Sequence, residues 1–503
     1  ALTLARNPVF VHCAAILVCF GGLACSETAP PPTAPAPGIP PAADPGNGSR
    51  PNIVLVVIDT LRADHLSTYG YDRATSPNLD RLAARGTVFS RAYAQSGWTL
   101  ASMATLMTGL YPHQHRVARD GCQPDAYGKL DADRRTLAEG LVERGYRAGA
   151  WVNNTFMAPV FGLGQGFTPY DYSGATNDTH RSAMDTVAAG LTWLDTPKTP
   201  SQPSFLVLHF MEPHLDYSPP AAQRGTFAKG PPAGRLATLP FGAFQTGQAT
   251  PTDDEKAYMM ALYDEEVLAA DAALGALMDG LESRGALDNT IVVVTADHGE
   301  EFWDHGGFEH GHALWSALTR VPLVIAGPDL PQGKHSNVLV EHVDLVRGLA
   351  NQAGAQLDPE AVGVDIFEVA TGPDVGRAAM SDNCLYGPSC VSITDGRVRF
   401  LLRHHLSMDP AAPTDLSKAR VRPVAEVWAM SPDGMETTIL PKPEAEKLAP
   451  GLARMLEARR GTLAPLMARD GAAVPDHATF QMLRELGYVD RPDAASQPQT
   501  PCR

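Results

Sequence analysis

The sequence predicts an α/β fold built on a doubly wound, mostly parallel sheet, followed by a smaller unit of different texture. Three observations carry this expectation. Two runs rich in β-branched residues, Asn52-Ile-Val-Leu-Val-Val-Ile58 and Thr290-Ile-Val-Val-Val-Thr-Ala296, lack polar alternation, as strands buried on both faces of a parallel sheet do. Stretches of helical spacing separate such runs, which is the alternation of βαβ units. After roughly residue 355 the pattern changes, and Val391 to Leu402 predicts a hairpin turned at Asp395-Gly396.

Taken in order, residues 1–25 are expected to be an export signal. Arg6 precedes an apolar run from Pro8 to about Ala24, interrupted by His12, which is short for a spanning helix. Leu23-Ala24-Cys25 resembles the end of a bacterial lipoprotein signal, in which the cysteine is lipidated and anchors the chain to a membrane. Gly22 departs from the larger aliphatic residue usual there, so conventional cleavage and an uncleaved anchor stay open. Residues 26–50, dominated by Pro, Ala and Gly, predict a tether. Ser76-Pro77 can start a helix that Gly86 ends, and Arg134 to Arg144 predicts a helix leading through Gly145-Tyr146 to a strand over Ala148 to Val152. Ser204 to Phe210 predicts another buried strand.

Pro219 to Pro251 is expected to be a surface loop near the site. The capping-box pattern Thr252-Asp-Asp-Glu255 then opens a long helix with a core stripe at Met260, Tyr263, Val267, Ala270, Leu274, Leu277 and Leu281. Its placement predicts a right-handed crossover into the Thr290 strand. Leu452 to Arg460 and Phe480 to Val489 predict helices. The domain plan is thus a main unit over 51–355, a smaller one over 356–490 and a tail over 491–503.

A chain of 503 residues with 44% hydrophobic content can bury a large core. Its formal charge of -16 argues against nucleic-acid or anionic-membrane binding through net charge, and no nucleic-acid partner is expected. Of seven cysteines, Cys13, Cys19 and Cys25 lie in the leader. In an exported protein Cys384 and Cys390 are placed to close a small loop and Cys122 and Cys502 remain to pair, although spacing alone does not decide the connectivity.

In parallel sheets ligands collect at the carboxyl ends of strands, so Asp59 and the Asp297-His298 pair, which follow the two apolar runs, should converge at one edge. Two carboxylates and an imidazole are the ingredients of a site for one divalent metal cation, suited to zinc, manganese or, less naturally with His, calcium. Thr99 opens a stretch of helical spacing, Leu100 to Met107, that Gly109 and Pro112 stop. A hydroxyl there is either an N-cap or a nucleophile. The helix N-terminus offers N–H groups to an anionic ester, and a nearby metal would activate the hydroxyl.

These stretches, together with Thr75-Ser-Pro-Asn-Leu-Asp80, Thr108-Gly-Leu-Tyr-Pro-His113, Glu212-Pro-His214, Glu309-His-Gly311, Val321-Pro-Leu323 and His342-Val-Asp-Leu345, resemble the sulfatase branch of the alkaline phosphatase superfamily. The resemblance covers Pro51 to about Leu349 and implies an alkaline phosphatase-like fold with a small C-terminal α+β subdomain, whose antiparallel sheet packs on the main one. It also implies a metal held by Asp59, Thr99, Asp297 and His298, and contacts from His214 and His310 to the transferred group, the leaving group or a second metal.

Where formylglycine sulfatases carry Cys or Ser, any residue, Pro, any residue, Arg, this chain has Thr99-Leu-Ala-Ser-Met103, so no formylglycine is expected. Their usual second Asp is Thr60, and a substrate-binding Lys is replaced by Asn153; the amides of Asn153 and Asn154, at one strand end, would donate to an ester oxygen or be turn residues, and Glu300 and Glu301 would orient metal ligands or face solvent. His115 is a further expected substrate contact. The pattern implies hydrolysis of a small anionic sulfate or phosphate ester, glycan- or lipid-linked, with Thr99 as nucleophile. A phosphotransferase or two-metal phosphodiesterase of the same superfamily, and a noncatalytic surface binding lipoprotein, are the alternatives.

Overall fold

The computed structural model describes residues 50–117, 127–176, 179–199, 201–230, 242–245, 249–328, 330–372, 376–385, 390–407, 420–441, 443–444, 447 and 472–473. The expected leader, tether and tail, the helices expected over Leu452–Arg460 and Phe480–Val489, and Cys122 and Cys502 lie outside the described residues.

The central sheet contains β1 (Asn52–Ile58), β2 (Gly86–Tyr93), β3 (Arg147–Trp151), β4 (Tyr170–Asp171), β5 (Ser204–Phe210) and β6 (Thr290–Ala296). A small hairpin, β7 (Glu301–Phe302) with β8 (Phe308–Glu309), follows, and β9 (Arg320–Val321), β10 (Leu323–Ala326) and β11 (Lys334–Glu341) complete the sheet. Their order is β9-β2-β10-β6-β1-β5-β3-β4, with β11 beside β2. The β6-β1-β5-β3-β4 half is parallel throughout, and β10 runs antiparallel between β6 and β2. The sheet is therefore mixed but mostly parallel. The β-branched runs at β1 and β6 occupy its centre, where both faces are covered.

The helices fall into two groups. Helices α1 (Pro77–Ala84), α5 (Ala183–Leu194) and α6 (Asp253–Ser283) pack together, as do α2 (Thr99–Thr108), α4 (Leu137–Glu143) and α7 (His342–Ala353). A short α3 (Pro112–His115) continues from α2. The helix expected from Arg134 starts instead at Leu137, because Thr136 caps it by accepting from Glu139 N.

Helix α6 is 31 residues long and begins at the expected capping box of Thr252 and Glu255. Six of its stripe positions, from Tyr263 to Leu281, are buried, but so are Asp264, Glu265 and Glu266 on other faces. The described part of the expected surface loop reaches Glu265, and neighbouring segments reach the other two. Ser218 N donates to Glu266, and Phe227 N and Ala228 N donate to Glu265, while Asp264 accepts from His65, Tyr71 and Arg73. Hydrogen bonds replace part of the water these carboxylates give up, while Glu265 Oε2 and Glu266 Oε2 have no hydrogen-bond partner.

The C-terminal sheet is antiparallel in the order β12 (Ala379–Asp382), β13 (Val391–Thr394), β14 (Val398–Ser407), β15 (Arg420–Met430) and β16 (Glu436–Ile439). It docks on the main sheet through backbone and side-chain bonds: Met380 N to Glu341 Oε1 (2.8 Å), Ser381 Oγ to Ala94 O (2.7 Å) and Arg91 Nη2 to Asp395 O (2.5 Å). Cys384 and Cys390 form a disulfide just beyond β12, with Cα atoms 5.8 Å apart.

Candidate active site

Strands β1 and β6 are parallel neighbours with Ile58 opposite Ala296, so Asp59 and Asp297 leave the sheet side by side at its carboxyl edge. One ligand atom each from Asp59, Asp297 and His298 lies within 4.8 Å of the others, and all three residues are fully buried. The partners around them decide which atoms face inward. Asp297 Oδ1 accepts from Thr60 N (3.3 Å) and His298 N (2.8 Å), and Asp59 Oδ2 accepts from Asn154 Nδ2 (2.7 Å). His298 Nδ1 lies 2.9 Å from Gly299 O, which can only accept, so Nδ1 carries the proton and Nε2 presents its lone pair.

The remaining oxygens, Asp59 Oδ1 and Asp297 Oδ2, have no hydrogen-bond partner. Burial, and then the Asp297 carboxylate beside it, push the Asp59 carboxyl well above its ordinary range. Two orphaned carboxylate oxygens and an imidazole lone pair in a fully buried cluster fit a divalent cation.

Thr99 is the first residue of α2, and the N-cap, Trp98, makes no side-chain cap. The Thr99 hydroxyl is therefore not the cap. It lies 3.3 Å from His298 Nε2 and 3.4 Å from Asn154 Nδ2. Helix α2 is held in place around it. Ser102 Oγ donates to Asp297 O (2.5 Å), and Trp98 Nε1 donates to Asn383 Oδ1 (2.9 Å), a residue beyond the end of β12. Gly299 lets the chain pass close by, because a Cβ there would meet Ala317 O at 2.0 Å.

His310 and His214 line the same edge. The His310 ring centroid is 4.5 Å from that of His298 and 5.1 Å from that of His214. His310 Nδ1 meets Glu300 Oε1 at 2.9 Å, and Tyr217 Oη donates to Glu300 Oε2 at 3.1 Å. His214 Nδ1 instead donates to Leu215 O at 2.6 Å. Arg62 Nη1 donates to Glu300 O, and the rest of its guanidinium clamps Asp64 and Asp304. Glu301 organises the loop that follows by accepting from His305 N, Gly307 N and His312 Nε2. His209 on β5 lies with Nε2 3.5 Å from Asp59 Oδ2. Burial holds its ring at a pKa of about 4, so it is neutral there.

The family model described as Sulfatase matches residues 51–355. The chain belongs to the sulfatase family. The family's ester hydrolases include relatives that match over most of their length. A Formosa agariphila sulfatase is 27% identical over 61% of this chain and 70% of its own. Bovine (Bos taurus) arylsulfatase A is 29% identical over 64% of this chain and 68% of its own. The fold matches that of the phosphonate monoester hydrolase of Agrobacterium radiobacter at a TM-score of 0.63, with 22% identity, over 82% of this chain and 96% of that one.

Within this sulfatase-family chain, two expected contacts take other positions. The Asn153 amide donates to Thr186 Oγ1 (2.8 Å) and His209 O (2.5 Å), and its oxygen accepts from Arg181 Nε, so its polar atoms are occupied by the scaffold. The next residue, Asn154, reaches Asp59 and Thr99 instead. His115 has Nε2 3.2 Å from Thr105 Oγ1 and Nδ1 accepting from Val117 N at 3.0 Å, six residues along α2 from Thr99, about 9 Å of helix. Burial, with His113 nearby, holds its ring near a pKa of about 3. His209 and Tyr217 are the site neighbours that sequence patterning did not select as site residues. For His209 a signal existed: it sits opposite Val57 in the neighbouring strand, two residues before Asp59.

Proposed function

We propose that this sulfatase-family chain hydrolyses or transfers an anionic sulfate- or phosphate-type ester through two displacements, with Thr99 rather than formylglycine as the nucleophile. The observation that carries this reading is the Thr99 hydroxyl at the head of an uncapped helix, 3.3 Å from His298 Nε2, in a sequence lacking the Pro and Arg needed for formylglycine formation. Asp59, Asp297 and His298 would hold the cation, with Thr99 as its fourth ligand. When bound, that cation supplies Lewis acidity, lowering the pKa of a hydroxyl and neutralising charge on the ester. The first turn of α2 receives the anionic group on its N–H dipoles. Asn154 steadies the Thr99 oxygen and Asp59, and His214 and His310 serve the leaving oxygen.

One solved structure similar in fold (TM-score 0.63, 19% identity, covering 83% of this chain and 98% of that one) is in complex with D-glucosamine-2-N,6-O-disulfate. That complex supports a glycan-linked sulfate ester as the substrate class, and the phosphonate monoester hydrolase supports keeping phosphorus esters beside it. Assay of purified protein against sulfate monoesters, phosphate monoesters, phosphodiesters and phosphonate monoesters, with metal content measured on the same sample, tests the reading. Turnover of at least one class by metal-loaded protein is expected. Metal-loaded protein that binds a glycan but turns over none of the four is a binding module.

Export to an oxidising compartment is part of the same proposal, supported by the leader sequence and by the Cys384–Cys390 disulfide. Among the described residues no helix is long and apolar enough to cross a membrane. Membrane attachment is proposed through a lipid at Cys25. Mass spectrometry of the mature protein is expected to show a lipidated Cys25 as its first residue. An unmodified terminus downstream of Cys25 removes the lipid and leaves export, and an intact leader on cytoplasmic protein removes both.

A further inference from the structure

We infer that Asn383 is a positioning residue for Thr99 and that the Cys384–Cys390 disulfide sets it, so that turnover depends on whether this cysteine pair is oxidised. The inference rests on the nucleophile reading above. Its basis is a ladder of bonds from the C-terminal sheet to the segment that leads into α2. Ser381 Oγ donates to Ala94 O (2.7 Å), Asp382 N to Gln95 O (2.9 Å), Ser96 Oγ to Asn383 O (3.0 Å) and Trp98 Nε1 to Asn383 Oδ1 (2.9 Å).

Trp98 is where this ladder meets the nucleophile. It is fully buried, and Thr99 follows it directly at the head of a helix that has no side-chain cap. Its ring also stands edge-on to Phe156, with centroids 5.4 Å apart, and Phe156 N donates to Asn154 Oδ1. Asn154 is the residue that reaches Asp59 and Thr99. One bond from the indole to Asn383 therefore steadies Thr99 and Asn154 together.

Asn383 holds this position with φ +70°, a left-handed conformation that asparagine tolerates better than most residues. Two constraints keep it there. Its N–H donates to Cys390 O (3.1 Å), and the next residue, Cys384, is bonded to Cys390. Both cysteines are buried, in a cluster with Leu314, Trp315 and Trp428. Reduction by an external dithiol opens the loop: a thiolate of the reductant attacks one sulfur, the S–S bond breaks, and the reductant ends as a disulfide. Two electrons and two protons pass to Cys384 and Cys390, which become thiols. Asn383 can then relax and draw its oxygen away from Trp98.

The test uses folded, metal-loaded protein with 4-nitrophenyl sulfate and 4-nitrophenyl phenylphosphonate as probes. Asn383→Gly, which accepts the left-handed backbone but lacks Oδ1, is expected to lower kcat about 30-fold with KM and metal content held, as a misplaced reacting group does. Asn383→Asp keeps an acceptor and should restore most of the rate. Trp98→Phe should match Asn383→Gly, and the two together should be no slower than either alone. Cys384→Ser with Cys390→Ser reproduces the open loop even where burial keeps a dithiol out. It should lower kcat about 10-fold, but have no further effect once Asn383→Gly is present. Amide hydrogen exchange over 94–100 should quicken in the same variants, a readout that needs no substrate. Full kcat in the cysteine variant, unchanged exchange over 94–100, additive losses in either combination, or a loss confined to KM or metal content would overturn the inference. Undiminished turnover by Thr99→Ala would overturn the nucleophile reading and this inference with it, whereas an inactive Thr99→Ala beside an Asn383→Gly with full kcat overturns this inference alone.

Discussion

Thr99→Ala is expected to lose turnover by roughly 10⁴-fold or more while the protein stays folded, as removal of an attacking atom does. The structure makes the separation from a stability effect clean. A lost N-cap costs about 0.5–2 kcal/mol, but the Thr99 side chain caps nothing; its hydroxyl faces His298 and Asn154. Metal affinity should weaken rather than vanish, since Asp59, Asp297 and His298 remain. Thr99→Ser keeps the attacking oxygen and should keep part of the rate. Rapid quenching with substrate, followed by peptide mapping, is expected to find the ester on Thr99, and an ester on any other residue would refute the assignment.

Replacing Asp297 is expected to remove metal and activity together, and the choice of residue separates two effects. Asp297 Oδ1 accepts two backbone N–H groups, while Oδ2 faces the cluster. Asp297→Asn can keep the first role while losing the charge, so it should fold well and hold little metal. Asp297→Ala also strands Thr60 N and His298 N, at a further cost of about 1–3 kcal/mol. Elemental analysis of both variants checks this, and full metal occupancy in Asp297→Asn would count against the site.

A pH dependence follows from Asp59. In chelated protein its carboxyl is raised above 3.8, first by burial and then by Asp297. A group whose folded pKa is raised stabilises the fold below its unfolded pKa and loses that contribution as pH rises through the folded value. Chelated protein should therefore lose stability as pH rises, while metal-loaded protein does not. The melting-temperature gap between them is expected to widen from about pH 5 to pH 8, and a constant or narrowing gap would argue that no cation neutralises the pair.

Much of this site was legible in the sequence because its parts hang on the strongest patterns. Strands β1, β5 and β6 follow from uninterrupted apolar runs, and a parallel sheet brings residues after their ends to one edge, so Asp59, Asp297 and His298 could be joined across the chain. Thr99 was legible as the head of a helix, although only the structure separates capping from exposure to the cluster. Asn153 was chosen where Asn154 reaches the site, because β3 ends at Trp151 and the turn beyond it decides which of two consecutive amides points inward. Asn154 also anchors that turn by accepting from Phe156 N. His115 belongs to a recognisable motif, but α3 folds it back onto Thr105. The buried Glu265 and Glu266 of α6 were hidden for another reason: their partners are backbone N–H groups, and backbone leaves no trace in composition. Strand β2, broken by Ser90 and Arg91, lacks the run that marked its neighbours.

The bond from Thr60 N to Asp297 Oδ1 spans 237 positions of chain, and that from Trp98 to Asn383 spans 285. During synthesis the segment bearing Thr99 is therefore made long before the residues that give it a chemical environment. Neither a nascent chain nor a fragment ending before Ala296 possesses the cluster, and one ending before Asn383 lacks the brace on Trp98. Contacts this distant form late in folding. Under the nucleophile role proposed for Thr99, its reactivity is withheld until the chain has been made and folded as far as Asn383, and a shorter chain carries an ordinary threonine.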